Sequence, residues 1–556
     1  MRLINASIKD LAESLQRGEV TSVSLVEVGE LNKPCRMAYI ARIQQVNGIV
    51  KAVSEINPDA LELAEKCDEE RLSGRSKGIL HGIPFLAKDM FLTTDRMQTT
   101  AGCKALQGAE PSFEATVIAK LRNQGAILLG KSALTQWANY RSPRTAPNGW
   151  SSANGQCTAP FADYQDPSGS SSGSAVAVSL GLCAFGLGTE ASSITNPAQK
   201  AAVVGLRPTT GLVSRHGVYS VSEYQDSVGV HGRTVDDCAI ALSSIAGGPP
   251  DNLIYSSVDP EDHFTMVDPL DGQDAKRPEE GTDFSSNLES CSMDGIRIAV
   301  PSILLDTDRA RLDATKRAID VMTGLGAIII EDAEFLQWET DEERASDEWK
   351  RAFWVQLRDS MIIHLIVCGE MLTFAHSFLL DMGKFLGSFN STEIEMKTLS
   401  DVINYTISTP EERAEEYGIE EWVAAEHTGQ SYDRDSQEYE TSLRRRLEMG
   451  DQAKELLDRY HCDIYLASSS KWQPGMTGGY PSISIPIGAF PQDTPIKSRP
   501  RTGLVQKGPG IPFSIVMVAR RWDDQKLIEV AKVFEQAMNV RQNLHLKIEP
   551  TAEVKL

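Results

Sequence analysis

The stretch Ser168-Gly-Ser-Ser-Ser-Gly-Ser-Ala-Val-Ala-Val-Ser-Leu-Gly-Leu-Cys-Ala-Phe-Gly-Leu-Gly-Thr-Glu-Ala-Ser-Ser-Ile-Thr-Asn-Pro-Ala198 sets a cluster of small hydroxyl and glycine residues on each side of one apolar, helix-length segment. That spacing brings two tight loops back towards one another with serines at both ends. Glycine lets a main chain approach another group closely. Loops of this composition supply backbone N–H donors for a developing oxyanion, next to a hydroxyl able to act as nucleophile. Taken alone, the stretch also reads as a pair of glycine-serine turns.

Upstream of it, the chain reads as α/β. A helical pattern runs from Ile8 to about Val46, interrupted at Asn32 to Arg36 because Pro34 cannot continue a helix. Ala52 to Ile56 is strand-like, and Pro58 to Leu72 is an acidic amphipathic helix opened by its proline. Leu80 to Met90 is a short apolar run carrying one lysine, Phe113 to Asn123 a helix, and Ala126 to Leu129 a buried strand. A loop rich in Asn, Pro, Gly and Ser follows from Asn139 to Ser172, and then a small-residue helix from Ser174 to Phe185.

Downstream, Val203 to Leu206 predicts a strand and Val235 to Ile245 a helix, with a polar surface excursion over 247–292. Arg297 to Val300 and Ile328 to Ile330 are strands with a helix between them, a βαβ-like unit. Residues 334–462 are mostly helical and acidic in places. Ile464 to Ser468, Ser482 to Ile487 and Ser514 to Val518 are further strands, and a last helix spans Gln525 to Arg541. Helices alternating with short apolar strands predict a mixed sheet.

The chain has 556 residues, 41% hydrophobic and 24% charged, with a formal net charge of -22. Such an acidic surface repels phosphate backbones and anionic lipids, which disfavours nucleic-acid binding. Nine scattered cysteines without a C-x-x-C pair read as free thiols in a reducing compartment. No apolar run reaches spanning length, so a cytoplasmic protein without a membrane span is expected.

Two pattern matches fail on context. Gly125-Ala-Ile-Leu-Leu-Gly-Lys-Ser132 fits the P-loop expression, but a helix precedes it and its apolar interior is itself the strand, which cannot wrap a phosphate. Gly169-Ser-Ser-Ser-Gly173 fits the nucleophile elbow with Ser171 central, yet a turn rather than a strand leads into it.

A lysine and the serines remain. A serine hydroxyl is a weak nucleophile until a base takes its proton, and a lysine is such a base only when neutral. Lowering a lysine from about 10.4 to about 7 or 8 takes roughly 4 kcal/mol of differential solvation, which burial supplies. Lys88 follows Ile83-Pro-Phe-Leu-Ala87, and strand alternation turns its neighbour Asp89 to the opposite side. An ordinary strand-end lysine is the other reading.

Seven pieces now stand in order: Leu80-His-Gly-Ile-Pro-x-x-x-Lys88-Asp89, Met97-Gln-Thr-Thr-Ala-Gly102, Gly130-Lys-Ser132, Asp166-Pro-Ser-Gly-Ser-Ser-Ser-Gly-Ser174, Gly188-Thr-Glu190, Val204-Gly-Leu-Arg-Pro-Thr-Thr-Gly-Leu-Val-Ser214 and Gln225-Asp-Ser-Val-Gly229. The set resembles the amidase signature family, closest in type to its fungal amidases, most densely over residues 76–245. The resemblance resumes at Gly479-Tyr-Pro-Ser-Ile-Ser-Ile-Pro-Ile-Gly488.

The resemblance implies an amidase-signature fold, a mixed twisted β-sheet sandwiched between layers of α-helices. The segments would be an N-terminal helical part (1–75), the signature domain (76–545, with insertions about 247–292 and 385–445) and a tail (546–556). It also implies a Ser–Ser–Lys triad that hydrolyses a carboxylic amide through an acyl-enzyme. Lys88 would be the base, Ser170 the bridging serine, commonly on a cis peptide, and Ser193 the nucleophile. Backbone N–H groups around Ala191, Ser192 and Ser193 would bind the oxyanion, and Trp137 and Ala138 would line the acyl pocket, unless Trp137 is plain core. The implied partner is a small-molecule amide, with no metal or organic cofactor. A homodimer is compatible with this.

The chain departs from the family pattern in two places. The family's usual loop reads Gly-Thr-Asp/Glu, two residues, Gly, the nucleophilic Ser, then Ile, whereas Gly188-Thr-Glu-Ala-Ser-Ser-Ile194 is one residue shorter and has Ser192 for the glycine. Ungapped, Ile194 would take the nucleophile position; anchoring on Ile194 and Pro197 keeps Ser193. Gly229-Val-His-Gly-Arg233 also departs, where the family usually has Gly-Pro followed soon by Arg. Two other functions stay open: a catalytically impaired relative kept for binding or an accessory role, and the glutaminase subunit of an amidotransferase.

Overall fold

Short apolar runs between turn residues become eleven strands of one mixed sheet in the computed structural model, which describes residues 2–26, 39–142, 145–189, 192–222, 224–247, 282–335, 371–391, 396–433, 435–468 and 473–552. In chain order these are β1 (Val53–Ile56), β2 (Pro84–Lys88), β3 (Ile127–Ser132), β4 (Phe185–Thr189), β5 (Val204–Arg207), β6 (Val228–Gly232), β7 (Arg297–Val300), β8 (Ile328–Glu331), β9 (Ile464–Ser468), β10 (Ser482–Ala489) and β11 (Pro512–Ala519). Their spatial order is β1-β3-β2-β4-β6-β5-β10-β11-β9-β7-β8. β2 runs parallel to both neighbours, β3 and β4. The middle of the sheet, β4-β6-β5-β10-β11-β9, is antiparallel throughout, and β7 pairs in parallel with β9 and β8.

Every residue of β2, β3, β4, β5, β6 and β11 is buried. Strands covered on both faces lose alternation and read as continuous apolar runs, which is why these stretches are legible as strands. The covering helices include α1 (Ile8–Gln16), α2 (Ser22–Val26), α3 (Tyr39–Val50), α4 (Ala60–Leu72), α5 (Thr116–Asn123), α6 (Ser172–Ser179), α7 (Ser192–Ala201), α8 (Val235–Ile245) and α9 (Arg309–Gly324). After them come α10 (Met371–Gly387), α11 (Leu399–Ser408), α12 (Glu420–Ser431), α13 (Gln437–Arg459) and α14 (Asp524–Met538). α1 starts on a capping box, with Ser7 accepting from the Asp10 amide and Asp10 accepting from that of Ser7. Its Ile8, Leu11 and Leu15 enter the main core, and the Ile8 amide donates to Asp237 on α8 at 2.6 Å.

Two expectations are corrected. The helix expected over Ser174 to Phe185 ends at Ser179, because Gly181 takes φ 61° and turns the chain into β4. The segment expected as a serine loop up to Ala198 becomes helix α7 from Ser192 onward, with Pro197 inside it. The would-be P-loop is strand β3 itself. Residues 248–281 of the polar excursion lie outside the described residues. Among the described residues no helix is long and apolar enough to cross a membrane.

Candidate active site

β2 and β4 are parallel neighbours with Ala87 opposite Leu187, so their C-terminal ends open at the same edge of the sheet. Ligands of α/β folds bind outside the carboxyl ends of parallel strands. Lys88 ends β2, and its side chain is fully buried. Its Nζ donates to Ser170 Oγ at 2.7 Å and to Thr189 Oγ1, at the end of β4, at 2.8 Å. A hydroxyl has a single proton, and Thr189 directs its own at Met90 Sδ, 2.9 Å away. Thr189 therefore meets Lys88 only as an acceptor. Asp89 turns the other way, accepting from the amide and hydroxyl of Thr100. Burial pushes its carboxyl up to about 6.

Each serine of the first loop has its own partner. Ser170 follows a cis Gly169–Ser170 peptide, is fully buried, and its carbonyl accepts from the Thr135 amide at 3.0 Å. Ser171 Oγ accepts from the Thr189 amide at 3.3 Å, so the central serine of the elbow pattern supports β4. Ser172 Oγ donates to the Ser168 carbonyl at 2.6 Å, and Ser174 Oγ to the Leu187 carbonyl at 2.9 Å. Gly173 admits no side chain: a Cβ there would lie 2.2 Å from the Ala52 carbonyl oxygen and 2.5 Å from the Ala133 nitrogen. That close approach fixes the start of α6 against the β1–β3 edge. Ser170 is the member of the run that meets Lys88.

The second loop leads straight into α7. Ser192 and Ser193 lie in its first turn, 9% and 3% exposed; Glu190 and Ala191 lie outside the described residues. First-turn amides have no acceptor within their helix and carry the positive end of its dipole, so this turn is suited to hold negative charge. Ile194 faces the sheet: a Cβ at Gly229 on β6 would lie 2.4 Å from Ile194 Cδ1. Ser193, about 100° further round the helix, projects in a different direction.

Trp137 and Ala138 stand in left-handed backbone (φ 50° and 56°) after β3, a conformation rare outside glycine. Both are buried. The Trp137 ring meets Tyr219, Phe385 and Trp422 edge-on at 5.4, 6.4 and 6.4 Å. Beside it the fully buried Glu412 accepts from Gln136 Nε2 and Ser152 Oγ, each at 2.6 Å, and from Arg141 Nη1 at 3.3 Å. This joins the segment between α11 and α12 to the Trp137 turn. Sequence reasoning misses Thr189 as a partner of Lys88 and Met90 as the acceptor of Thr189, since only the β2–β4 register brings them together. It misses Glu412 too, which reads there as one more residue of an acidic run.

A sequence model of the family described as Amidase matches residues 37–346. A protein of Arthroderma benhamiae named "Putative amidase" is 34% identical over 576 residues, covering all of this chain and 89% of the relative. One component of the glutamyl-tRNA(Gln) amidotransferase of Chloroflexus aurantiacus is 34% identical over 322 residues, 57% of this chain and 58% of its own. Among solved structures, the peptide amidase of Stenotrophomonas maltophilia superposes with a TM-score of 0.77 at 27% identity, over 98% of this chain and 99% of that one. With its eleven-stranded mixed sheet flanked by helices and its ordered signature motifs, this chain belongs to the amidase signature family and is a hydrolase of carboxylic amide C–N bonds.

Proposed function

We propose that Lys88, Ser170 and Ser193 act as one relay in hydrolysing a small-molecule amide, within a signature domain spanning 76–545. The observation that carries this is the 2.7 Å contact between the fully buried Lys88 Nζ and Ser170 Oγ. With Thr189 fixed as an acceptor, one N–H of the amine is engaged there, and the lone pair of the neutral amine can turn towards Ser170. Ser193 Oγ attacks the amide carbon as its proton passes to Ser170 Oγ, whose own proton moves to Lys88 Nζ. The tetrahedral oxyanion is held by backbone N–H groups around Ala191, Ser192 and Ser193, the last two in the first turn of α7. Collapse breaks the C–N bond, and the leaving nitrogen takes the proton from Lys88 through Ser170. Water then attacks the acyl-Ser193 ester, its proton follows the same relay, and the acid leaves as Ser193 is reprotonated. Trp137 and Ala138 shape the acyl side of the site from beneath, through their buried turn.

The inward packing of Ile194 against Gly229 supports Ser193 over Ile194 as the residue facing the substrate. We also place the chain in the cytoplasm, supported by the seven free thiols among the described residues; cell fractionation tests this. The catalytic test is labelling by a fluorophosphonate probe. Wild type labels at Ser193, and Ser193→Ala abolishes both labelling and amide hydrolysis. Absence of labelling in the folded wild type supports the non-catalytic relative instead. Glutamine hydrolysis that appears only with a co-purified synthetase-like protein supports the amidotransferase reading.

A further inference from the structure

The departure at Gly229-Val-His-Gly-Arg233 places His231 on β6, in a strand whose residues are all buried. Its ring lies between the two arms of the site. On one side it rests against Gly188, one residue before Thr189: a Cβ at Gly188 would lie 2.8 Å from His231 Cε1. On the other, Nε2 lies 2.9 Å from the carbonyl oxygen of Ile194, one residue after Ser193. A carbonyl only accepts, so Nε2 carries the proton. Nδ1 is buried without a hydrogen-bond partner among the described residues. Burial pushes the imidazole down to about 4, outweighing the hydrogen bond to the Ile194 carbonyl, which acts in the opposite direction. The ring is therefore neutral, with its single proton on the nitrogen facing α7.

This contact ties the first turn of α7 from outside the helix. Pro197 has no N–H, so the helix bond that would ordinarily close on the Ser193 carbonyl cannot form. The preceding loop is one residue shorter than the family pattern, with a serine in place of its glycine. We infer that His231 is a positioning residue: by holding the Ile194 carbonyl while wedged against Gly188, it sets the distance between Ser193 and the Lys88–Thr189 pair. This rests on the proposal that Ser193 is the nucleophile. A glutamine can place its amide nitrogen where histidine places Nε2, so the donor can be restored without the ring.

The test is the saturation kinetics of fluorophosphonate labelling at Ser193 in His231→Phe, His231→Met and His231→Gln. Phe and Met fill the space without a donor. They should lower the maximal labelling rate about tenfold or more, as expected for a misplaced attacking atom, with the half-saturating probe concentration changed less than about twofold. His231→Gln should recover to within about threefold of wild type. A folded Phe or Met variant labelling at the wild-type rate overturns the inference, as does a folded Gln variant as slow as Phe. ¹⁵N spectra of histidine-labelled wild type give a second reading that needs no variant: a neutral ring protonated on Nδ1 also overturns it. Ser193→Ala separates the two levels. If that variant still labels, the nucleophile assignment fails; if it does not label and His231→Phe behaves as wild type, only the role of His231 fails.

Discussion

Replacing Lys88 by methionine keeps an unbranched side chain of similar length, with a thioether in its stem, and removes the amine. The side chain is fully buried, and the change conserves volume, so a stability cost under about 1.5 kcal/mol is expected. What is lost is the group 2.7 Å from Ser170 Oγ and 2.8 Å from Thr189 Oγ1. A positioned base contributes about 10²- to 10⁴-fold, which is about 2.7–5.4 kcal/mol at roughly 1.36 kcal/mol per decade. Ser170→Ala interrupts the same relay from its other end and should fall in the same range. If the two groups acted independently, the double variant would lose about 10⁴- to 10⁸-fold, the product of the two single losses. Groups that act as a unit are strongly non-additive, so Lys88→Met/Ser170→Ala should lie within about tenfold of the slower single variant. The assay is kcat/KM on an anilide reporter, with fluorophosphonate labelling rates alongside and circular dichroism to show the fold is kept. Multiplicative losses would refute the relay, and so would a folded Lys88→Met within tenfold of wild type.

Asp524 is buried at the start of α14, accepting from the amide and hydroxyl of Thr209 at 2.9 and 2.6 Å, and burial pushes its carboxyl up to about 6. A pKa raised by folding means the native state binds the extra proton. The stability it contributes is present below the unfolded value near 4 and is lost as pH rises through about 6. Asp524→Asn should therefore flatten the dependence of the urea midpoint on pH between 4 and 6; parallel wild-type and variant curves would exclude this. Glu412→Ala leaves Arg141, 2% exposed at its side chain, without the carboxylate it meets at 3.3 Å. Breaking one side of a buried pair costs about 3–5 kcal/mol. The variant should lose urea resistance accordingly and expose the α11–α12 segment to proteolysis, whereas a midpoint shift below about 1 kcal/mol would make the pair dispensable.

The elements legible in the sequence are those whose chemistry is local. α8 spans the expected Val235 to Ile245 and opens on a Thr234–Asp237 capping box, and β7-α9-β8 is the expected βαβ unit. β4 and β6 escape recognition as strands because each carries two glycines, Gly186 and Gly188 in one and Gly229 and Gly232 in the other, and glycine weakens the strand signal. Those glycines respond to long-range neighbours. Gly188 makes room for His231 and Ser171, and Gly229 for Ile194, contacts that no local pattern announces. Lys88 and Ser170 are readable as candidates because burial and a serine run leave marks in sequence. Their pairing depends on a contact between segments 82 residues apart.

The same packing bears on the two nucleophile registers and supports the one proposed. Sequence alone leaves Ser193 and Ile194 competing for one place, since the shortened loop fits either alignment. On a helix, consecutive residues differ by about 100°, so one face against the sheet excludes the neighbour from it. An isoleucine gains from burial and a serine does not, and Gly229 leaves a space on β6 that accepts the Ile194 side chain and would accept no side chain of its own. Once Ile194 is seated there, the first turn of α7 has one rotation open to it, and Ser193 is carried off that contact. A glycine that departs from strand propensity on β6 thus keeps Ile194 on the sheet side of α7, which favours the proposed register with Ser193 as nucleophile.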